Sequence, residues 1–442
     1  MSQPSRLARR LLVLVSLLLG STAGIASAPN VGRAASSTTV VFWESTNAQE
    51  SAFTKQIVNA WNKAHSDIHI QLQDIPAGAS TEEVFASAIA AHKTPDITNN
   101  LLPAVVPQYS TNGGLYQLDK LPDFVSYMTA RMPAGTLTQF KSADGHYYQV
   151  PWKANPVMII YRADLLKQAG YSSFPTTYSS FLAMLKAVKA KTGVNPIFPT
   201  IDSTWYQRFF DFYPFYLAQS NGKTLLNSAA NKSIFQNNGA TRVMDLWRQI
   251  FALNLAPKSN STADKWAVKN EAMYIAGPWG PNGEIFQHNS GSISWAVAPI
   301  PLPDGMSAQP YPYTYSDPKN ITIFATSQHP QQAWAFIKYY IDAANDKAFL
   351  EKTWEFPYRK ELVQNPAGYS PLFRQYPQLM QFAKQMSHSV GLDNASQFIR
   401  VFDALSQAWE SAVISGSQST SSAVQSAASK IDTIVGSGNS GP

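Results

Sequence analysis

The chain of 442 residues contains no cysteine. That absence excludes disulfides, thiolate metal sites, cysteine nucleophiles and a lipidated N-terminal cysteine as a membrane tether. Charge is scarce as well: Asp, Glu, Lys and Arg make up 14% of the residues, against about 25% in an average soluble protein. Ser, Thr, Asn and Gln supply the polar surface instead, a composition that suits an acidic exterior where fewer carboxylates would have to be protonated. The formal net charge is +6, and Arg6, Arg9 and Arg10 near the N-terminus account for three of those charges, leaving +3 for the rest. Lys and Arg form no run, so nucleic acid is not an expected partner. Past the N-terminal segment, no stretch has the roughly 20 apolar residues that a membrane-spanning helix needs.

Catalytic motifs are missing too. The seven histidines form no HExxH pair, and neither GxSxG nor GxGxxG occurs. Gly222-Lys223-Thr224 copies the end of a phosphate-binding loop, but Leu217 stands where the leading glycine belongs, so a turn is the simpler reading. His65 and His69 are four residues apart but straddle a helix end and a strand, which argues against a shared metal. No acidic cluster invites the paired carboxylates of glycoside hydrolysis. The residues by themselves give no reaction centre, and no metal or cofactor is expected.

What is present begins with an export leader. Arg6, Arg9 and Arg10 precede the apolar run LLVLVSLLLG (11–20), which is too short to be a membrane anchor, and small residues follow. Ala26-Ser27-Ala28 has the form of a signal-peptidase site, although Pro29 disfavours it and moves the cut toward Ala34 or Ala35. After this leader and short linker (1–35), TTVVFW (38–43) reads as a buried strand. Asn47 with Glu50 opens a helix carrying Phe53, Ile57 and Trp61 at helical spacing. DIHIQLQD (67–74) alternates as a second strand, Ser80 and Glu83 form a capping box, and TPDIT (94–98) is a third strand. This grammar is that of an α/β domain with a mostly parallel sheet. Ligands in such sheets lie at the carboxyl ends of strands, which singles out Trp43, Glu44, Asn47, Asn99 and Asn100.

A second unit begins near 144, with strands at 147–150 and 157–161. Helices are expected over 178–192, 240–252, 331–341, 346–353 and 398–413, and a last amphipathic one over 423–435. The tail 436–442 is expected to be disordered. The chain has 11 Trp, 20 Tyr and 23 Phe, and several lie at turns or after strands: Trp43, Trp152, Trp205, Tyr206, Trp279, Tyr311, Tyr313, Tyr315 and Trp354. Flat apolar rings match the C–H faces of sugars and amide side chains match hydroxyls, so together these residues favour a cleft with stacking rings and neutral polar groups. In AMYIAGPWGPNGEIF (272–286), Gly277 would let the backbone turn while Pro278 and Pro281 fix φ on either side of Trp279.

Seven segments in order resemble the extracellular solute-binding proteins of ABC importers, in the sugar-binding branch. They are the opening TTVVFW unit, AHKTPDIT, DGHYYQVPWKANPVMIIYRADLLKQAG, NEAMYIAGPWG, VAPIPLPDG, ITIFATSQHPQQAWAFIKYYID and FPYRKEL. The resemblance runs over about 38–435. It implies a two-lobed, periplasmic-binding-protein-like α/β fold, each lobe a mostly parallel sheet flanked by helices, with three hinge crossings and a ligand cleft between the lobes. Crossings near Lys153-Ala154, Tyr315 to Asp317 and Phe356-Pro357 would divide the chain into 36–153 plus 317–356 and 154–316 plus 357–435. By the same resemblance Trp279 is a sugar-stacking residue, and Asn155 stands where relatives carry a cleft glutamate. Trp43, Trp205 and Tyr206 would add stacking faces, with Glu44, Asn47, Asn100 and Asn155 reading hydroxyls and Tyr315 and Trp354 also at the site. The implied partners are a carbohydrate, probably as an oligosaccharide, and the transmembrane subunits of a permease, with the receptor a periplasmic or extracellular monomer. Two other readings stand beside this one: a polyamine, phosphate-ester or peptide receptor, and a secreted glycoside hydrolase.

Overall fold

The computed structural model describes residues 37–45, 47–78, 80–199, 202–227, 230–237, 239–258, 271–283 and 293–437. The expected leader and the last five residues of the expected tail lie outside them. In chain order the strands are β1 (Thr38–Glu44), β2 (Ile68–Asp74), β3 (Ile97–Leu101), β4 (Val150–Ala154), β5 (Met158–Arg162) and β6 (Leu226–Asn227). They continue with β7 (Lys232–Ser233), β8 (Met273–Ala276), β9 (Trp295–Ala298), β10 (Thr314–Tyr315), β11 (Pro318–Ile323) and β12 (Ser389–Val390).

The first lobe is built on a sheet in the order β2-β1-β3-β11-β4. β1 runs parallel to β2 and β3, while β11 is antiparallel to both β3 and β4. Val40 and Phe42 alternate inward from β1 and pack with Phe53, Ile57 and Trp61 of helix α1 (Ala48–Ala64), whose 3.6-residue spacing puts those side chains on one face. Asn47 starts α1 as expected, its side chain accepting from the backbone N–H groups of Gln49 and Glu50. Ser80 and Glu83 likewise open α2 (Thr81–Ala90). β2 is an edge strand, and α1 guards it: Asn62 bonds both the N–H and the carbonyl of Ile70, and the Trp61 indole donates to the Ile68 carbonyl. Side chains thereby occupy backbone groups that a foreign strand would otherwise pair with.

The expected mostly parallel sheet is met in neither lobe: the first is evenly mixed, and in the second both pairings are antiparallel. The three-stranded sheet of the second lobe has the order β8-β5-β9, and β5 is antiparallel to both neighbours. The reason is directional: β5 starts where the chain leaves the first lobe, whereas β8 arrives at that same end, so Met158 pairs with Ala276. Helices Tyr178–Thr192, Ala240–Ala252, Phe398–Trp409 and Thr420–Ser437 form the large core on one face of this lobe. On the other face Leu372 and Phe382 pack with Leu350, Trp354 and Phe356, which come from the end of the segment that carries β11. The last helix runs to Ser437, so its apolar face at Ala427, Ile431 and Ile434 extends order past the expected end. The large core also contains Phe85, Ile89 and Leu101, and the two lobes thus meet along an apolar seam.

Three stretches of backbone run side by side between the lobes. The Asn155 N–H donates to the Ser316 carbonyl at 2.6 Å, Ala154 N–H to the Phe356 carbonyl at 3.0 Å, and Val157 N–H to the Tyr315 carbonyl at 2.8 Å. Two bulky residues near these stretches hold left-handed backbone, Asp317 at φ 36° and Trp354 at φ 66°. Such conformations are uncommon for residues with a Cβ and persist only where the surroundings hold them.

Candidate ligand site

β8 delivers the chain to the site. Its four residues are buried, and it ends at Gly277-Pro278 before the single helical turn Trp279–Pro281. Gly277 does not adopt the left-handed φ that would require glycine. What it supplies is space: a Cβ there would lie 2.6 Å from the Trp279 indole nitrogen and 3.1 Å from the Asn155 Cβ. The Trp279 ring folds back over Gly277 and is half-buried. Its Nε1 donates to Asp317 Oδ2 at 3.3 Å, and Phe210 meets it edge-on with centroids 6.0 Å apart. Three residues on, Asn282 donates to Gln49 Oε1 of α1 and to the Lys352 carbonyl, both at 2.9 Å.

Other residues singled out in the sequence take varied places. Trp43 is half-buried, stacked on Phe85 at 6.4 Å and bonded through its indole to Gln73. Glu44 is buried and accepts from the Ser51 hydroxyl at 2.9 Å; burial pushes its carboxyl up to about 7, against the pull of Ser51 and Lys55. The Asn47 amide oxygen is engaged in capping α1, and Asn100 is half-buried with its amide 3.4 Å from the Thr81 hydroxyl. Tyr206 is half-buried beside Trp205, which is 4% exposed and sits among Phe209 and Phe398.

For three residues the structure puts the side chain into packing instead. Tyr315 is completely buried between Phe209 and Tyr213. Trp354 caps the helix Ala343–Thr353 in left-handed conformation and stacks on Trp295 and Tyr376, deep in the second core of that lobe. Asn155 spends its amide on the connecting stretches: Nδ2 donates to Glu355 at 2.7 Å and Oδ1 accepts from the Phe356 N–H at 3.0 Å. Asn155 is 1% exposed.

Residues that the sequence did not single out complete the site. Asp317 is half-buried against Trp279; burial raises its carboxyl above the usual range, opposed by Lys319 and Lys153. Gln49, Phe210 and Asn282 brace the Trp279 turn, and their identities carry no signal because only the fold brings them together. Both cations closest to the site in sequence are neutralised. Lys153 bonds Glu50 at 2.8 Å and Glu355 at 2.6 Å. Arg208 pairs with Asp211 at 2.9 Å, lies 4.8 Å from the Trp409 ring centroid and donates to the Asp202 carbonyl.

Residues 56–381 match the family model of the bacterial extracellular solute-binding proteins. The chain belongs to that family. As a solute-binding protein it resembles the lactose-binding protein of Rhizobium radiobacter, 23% identical over 260 residues, or 57% of this chain. The match spans 58% of that relative's length. Solved structures share the whole fold. The sugar-binding protein MalE of Xanthomonas citri superposes with a TM-score of 0.71 at 23% identity, covering 91% of this chain and 98% of that one. An ABC transporter solute-binding protein from Thermotoga lettingae bound with α-D-tagatose gives 0.75 or better, at 0.76 with 16% identity, over 90% of this chain and 100% of its own. These likenesses establish the two-lobed α/β solute-binding fold.

Proposed function

We propose that the protein is an exported receptor of an ABC importer that captures a carbohydrate between its lobes and presents it to the membrane permease. The lobes would be 36–153 plus 317–356 and 154–316 plus 357–435, closing by bending at the three connecting stretches. The observation that carries the reading is the half-exposed Trp279 ring, held by Asp317 and Phe210 at the end of β8. A ring fixed before binding loses little entropy when a sugar stacks on it. With Lys153 and Arg208 already paired, an anionic solute finds no partner in either of them. The lactose-binding relative and the sugar-binding structural neighbours support the same ligand class. Trp43, Tyr206, Glu44 and Asn100 are the further candidates for ligand contact.

Asp317 beside Trp279 favours one second reading, a polyamine, whose ammonium groups would suit a carboxylate next to an aromatic face. A thermal-shift panel of mono- and oligosaccharides with spermidine separates the two. Ligand at 100 times its dissociation constant stabilises by about 2.7 kcal/mol. A shift with a sugar supports the carbohydrate reading, a shift with spermidine alone replaces it, and no shift removes both. Trp279→Ala is expected to abolish the shift and to change the unliganded midpoint little. A large unliganded loss would mean that the ring is core.

A further inference from the structure

Beneath the Trp279 turn lies a buried cluster with one charge too many. Lys153 Nζ sits 2.8 Å from Glu50 Oε1 and 2.6 Å from Glu355 Oε2, and none of the three side chains is more than 8% exposed. Both carboxyls thus meet at one ammonium. One ammonium neutralises one carboxylate. A second ionised carboxylate in the same dry space would be repelled, whereas a neutral carboxyl would not.

We propose that the stretches joining the lobes are fastened by a proton kept on Glu355 beside the Glu50–Lys153 pair, and that the fastening loosens when this proton is lost. The geometry ties the cluster to all three stretches. Glu355 Oε2 accepts from Asn155 Nδ2, Asn155 Oδ1 accepts from the Phe356 N–H, and the Asn155 N–H reaches the Ser316 carbonyl. Glu50 enters from the first turn of α1, next to Gln49, which holds Asn282 at the end of the Trp279 turn. The surrounding groups do not supply a second cation to the pair. Asp317, on the middle stretch, adds negative charge near Lys153 and Glu50. Lys319 of β11 is paired with Glu82, 3.3 Å away. Tyr340, from the helix Pro330–Tyr340, faces Glu50 and Glu44 with its hydroxyl bonded to Thr54 and Asn99. Glu44 is bonded to Ser51 on the far side of that helix turn.

Burial, reinforced by Glu50, holds the Glu355 carboxyl well above its ordinary 4.5. The folded chain therefore keeps a proton that the unfolded chain releases. The stabilisation is complete below the unfolded value and is lost as pH rises through the raised folded one. This device rests on the connecting stretches and not on the identity of the solute, so its test uses the unliganded protein. Thermal and denaturant unfolding of wild type, Glu50→Gln and Glu355→Gln are compared from about pH 5 to about pH 8, a range above the ordinary glutamate pKa. One extra folded-state proton makes the wild-type unfolding constant climb about tenfold more per pH unit than that of either variant. Wild type minus either variant is expected to leave a protonated-carboxyl band in the difference infrared spectrum at neutral pH, the raised Glu44 and Asp317 carboxyls being common to all three proteins. Scattering is expected to show wild type expanding at alkaline pH while Glu355→Gln does not. Equal pH slopes in wild type and variants, or an unchanged carboxyl band, would overturn the proposal. If one variant does not fold, the other decides by the same slopes and band. If neither folds, a wild-type spectrum without a protonated carboxyl at neutral pH overturns it, and a band that Glu44→Gln and Asp317→Asn both keep, lost on alkaline titration, supports it. Failure of every sugar to bind would leave these readings untouched.

Discussion

Two buried ion clusters flank β4, and they are charge mirrors of each other. On one side Asp346 receives two guanidiniums, Arg131 at 2.9 Å and Arg359 at 2.6 Å. On the other, Lys153 stands between Glu50 and Glu355. Both carry one surplus charge in a dry interior, yet they dispose of it differently. An arginine cannot shed its proton, so the surplus is spread onto backbone carbonyls: Arg131 also donates to Pro151 and Trp152, and Arg359 to Ile341. A surplus carboxylate can instead take up a proton. The cations of the first cluster therefore keep their charge and only its counter-ion Asp346, raised by burial against the pull of Arg131 and Arg359, can titrate, whereas in the second the surplus charge itself can be removed by a proton. In the Arg cluster Arg131 and Asp346 meet Arg359 just past the third connecting stretch, whereas the Glu cluster lies on the stretches themselves. A fixed and an adjustable fastening are thus built from the same ingredients with the counts reversed.

The largest expected effect is on the Arg side. Asp346→Asn leaves two buried guanidiniums without a counter-charge and is expected to lose about 3–5 kcal/mol of stability near neutral pH, by denaturant unfolding, and less at acid pH, where the raised Asp346 carboxyl of wild type is itself protonated. A negligible loss at neutral pH would break the contrast. Lys153→Met comes next. It removes the cation between two carboxylates, and a loss of about 3 kcal/mol is expected near pH 8, shrinking toward pH 5 as protons take the place of the missing cation. A pH-independent loss would show that the pair does not exchange protons. Arg131→Lys keeps the charge but gives up donors to the Pro151 and Trp152 carbonyls. Roughly 1–3 kcal/mol is expected there near neutral pH, read as a shift in unfolding midpoint.

Helix boundaries were largely legible in advance because their causes are local. Asn47 and the Ser80–Glu83 pair cap the helices they announce, and the expected helices 178–192 and 240–252 have those bounds in the structure. Trp279 could be singled out because a glycine and two prolines around one ring leave no regular element for it to join. The strand expected at 147–150 begins instead at Val150, since alternation alone does not fix where pairing starts. Asn155 looked like a ligand amide, but its partners Glu355 and Phe356 are some 200 positions away. Trp354 and Tyr315 also stand at element ends, where a ring may face either a cleft or a core; Trp295, Tyr376, Phe209 and Tyr213 draw them inward. The antiparallel second sheet was hidden for the same reason, because strand direction depends on which end of the lobe each strand enters.

The sequence by itself determined the helix starts, the alternation that buries β1 against α1, the lack of thiol and motif-borne chemistry, and a tryptophan in a stiff turn after a buried strand. These rest on interactions among residues a few positions apart. Tertiary structure alone decided which rings remain at the site, that Lys153 and Arg208 are already neutralised, and that Glu50 meets Glu355 over one lysine. Charge pairing and burial are set by distance in space, and a chain that crosses between lobes brings together side chains which nothing in their local sequence connects.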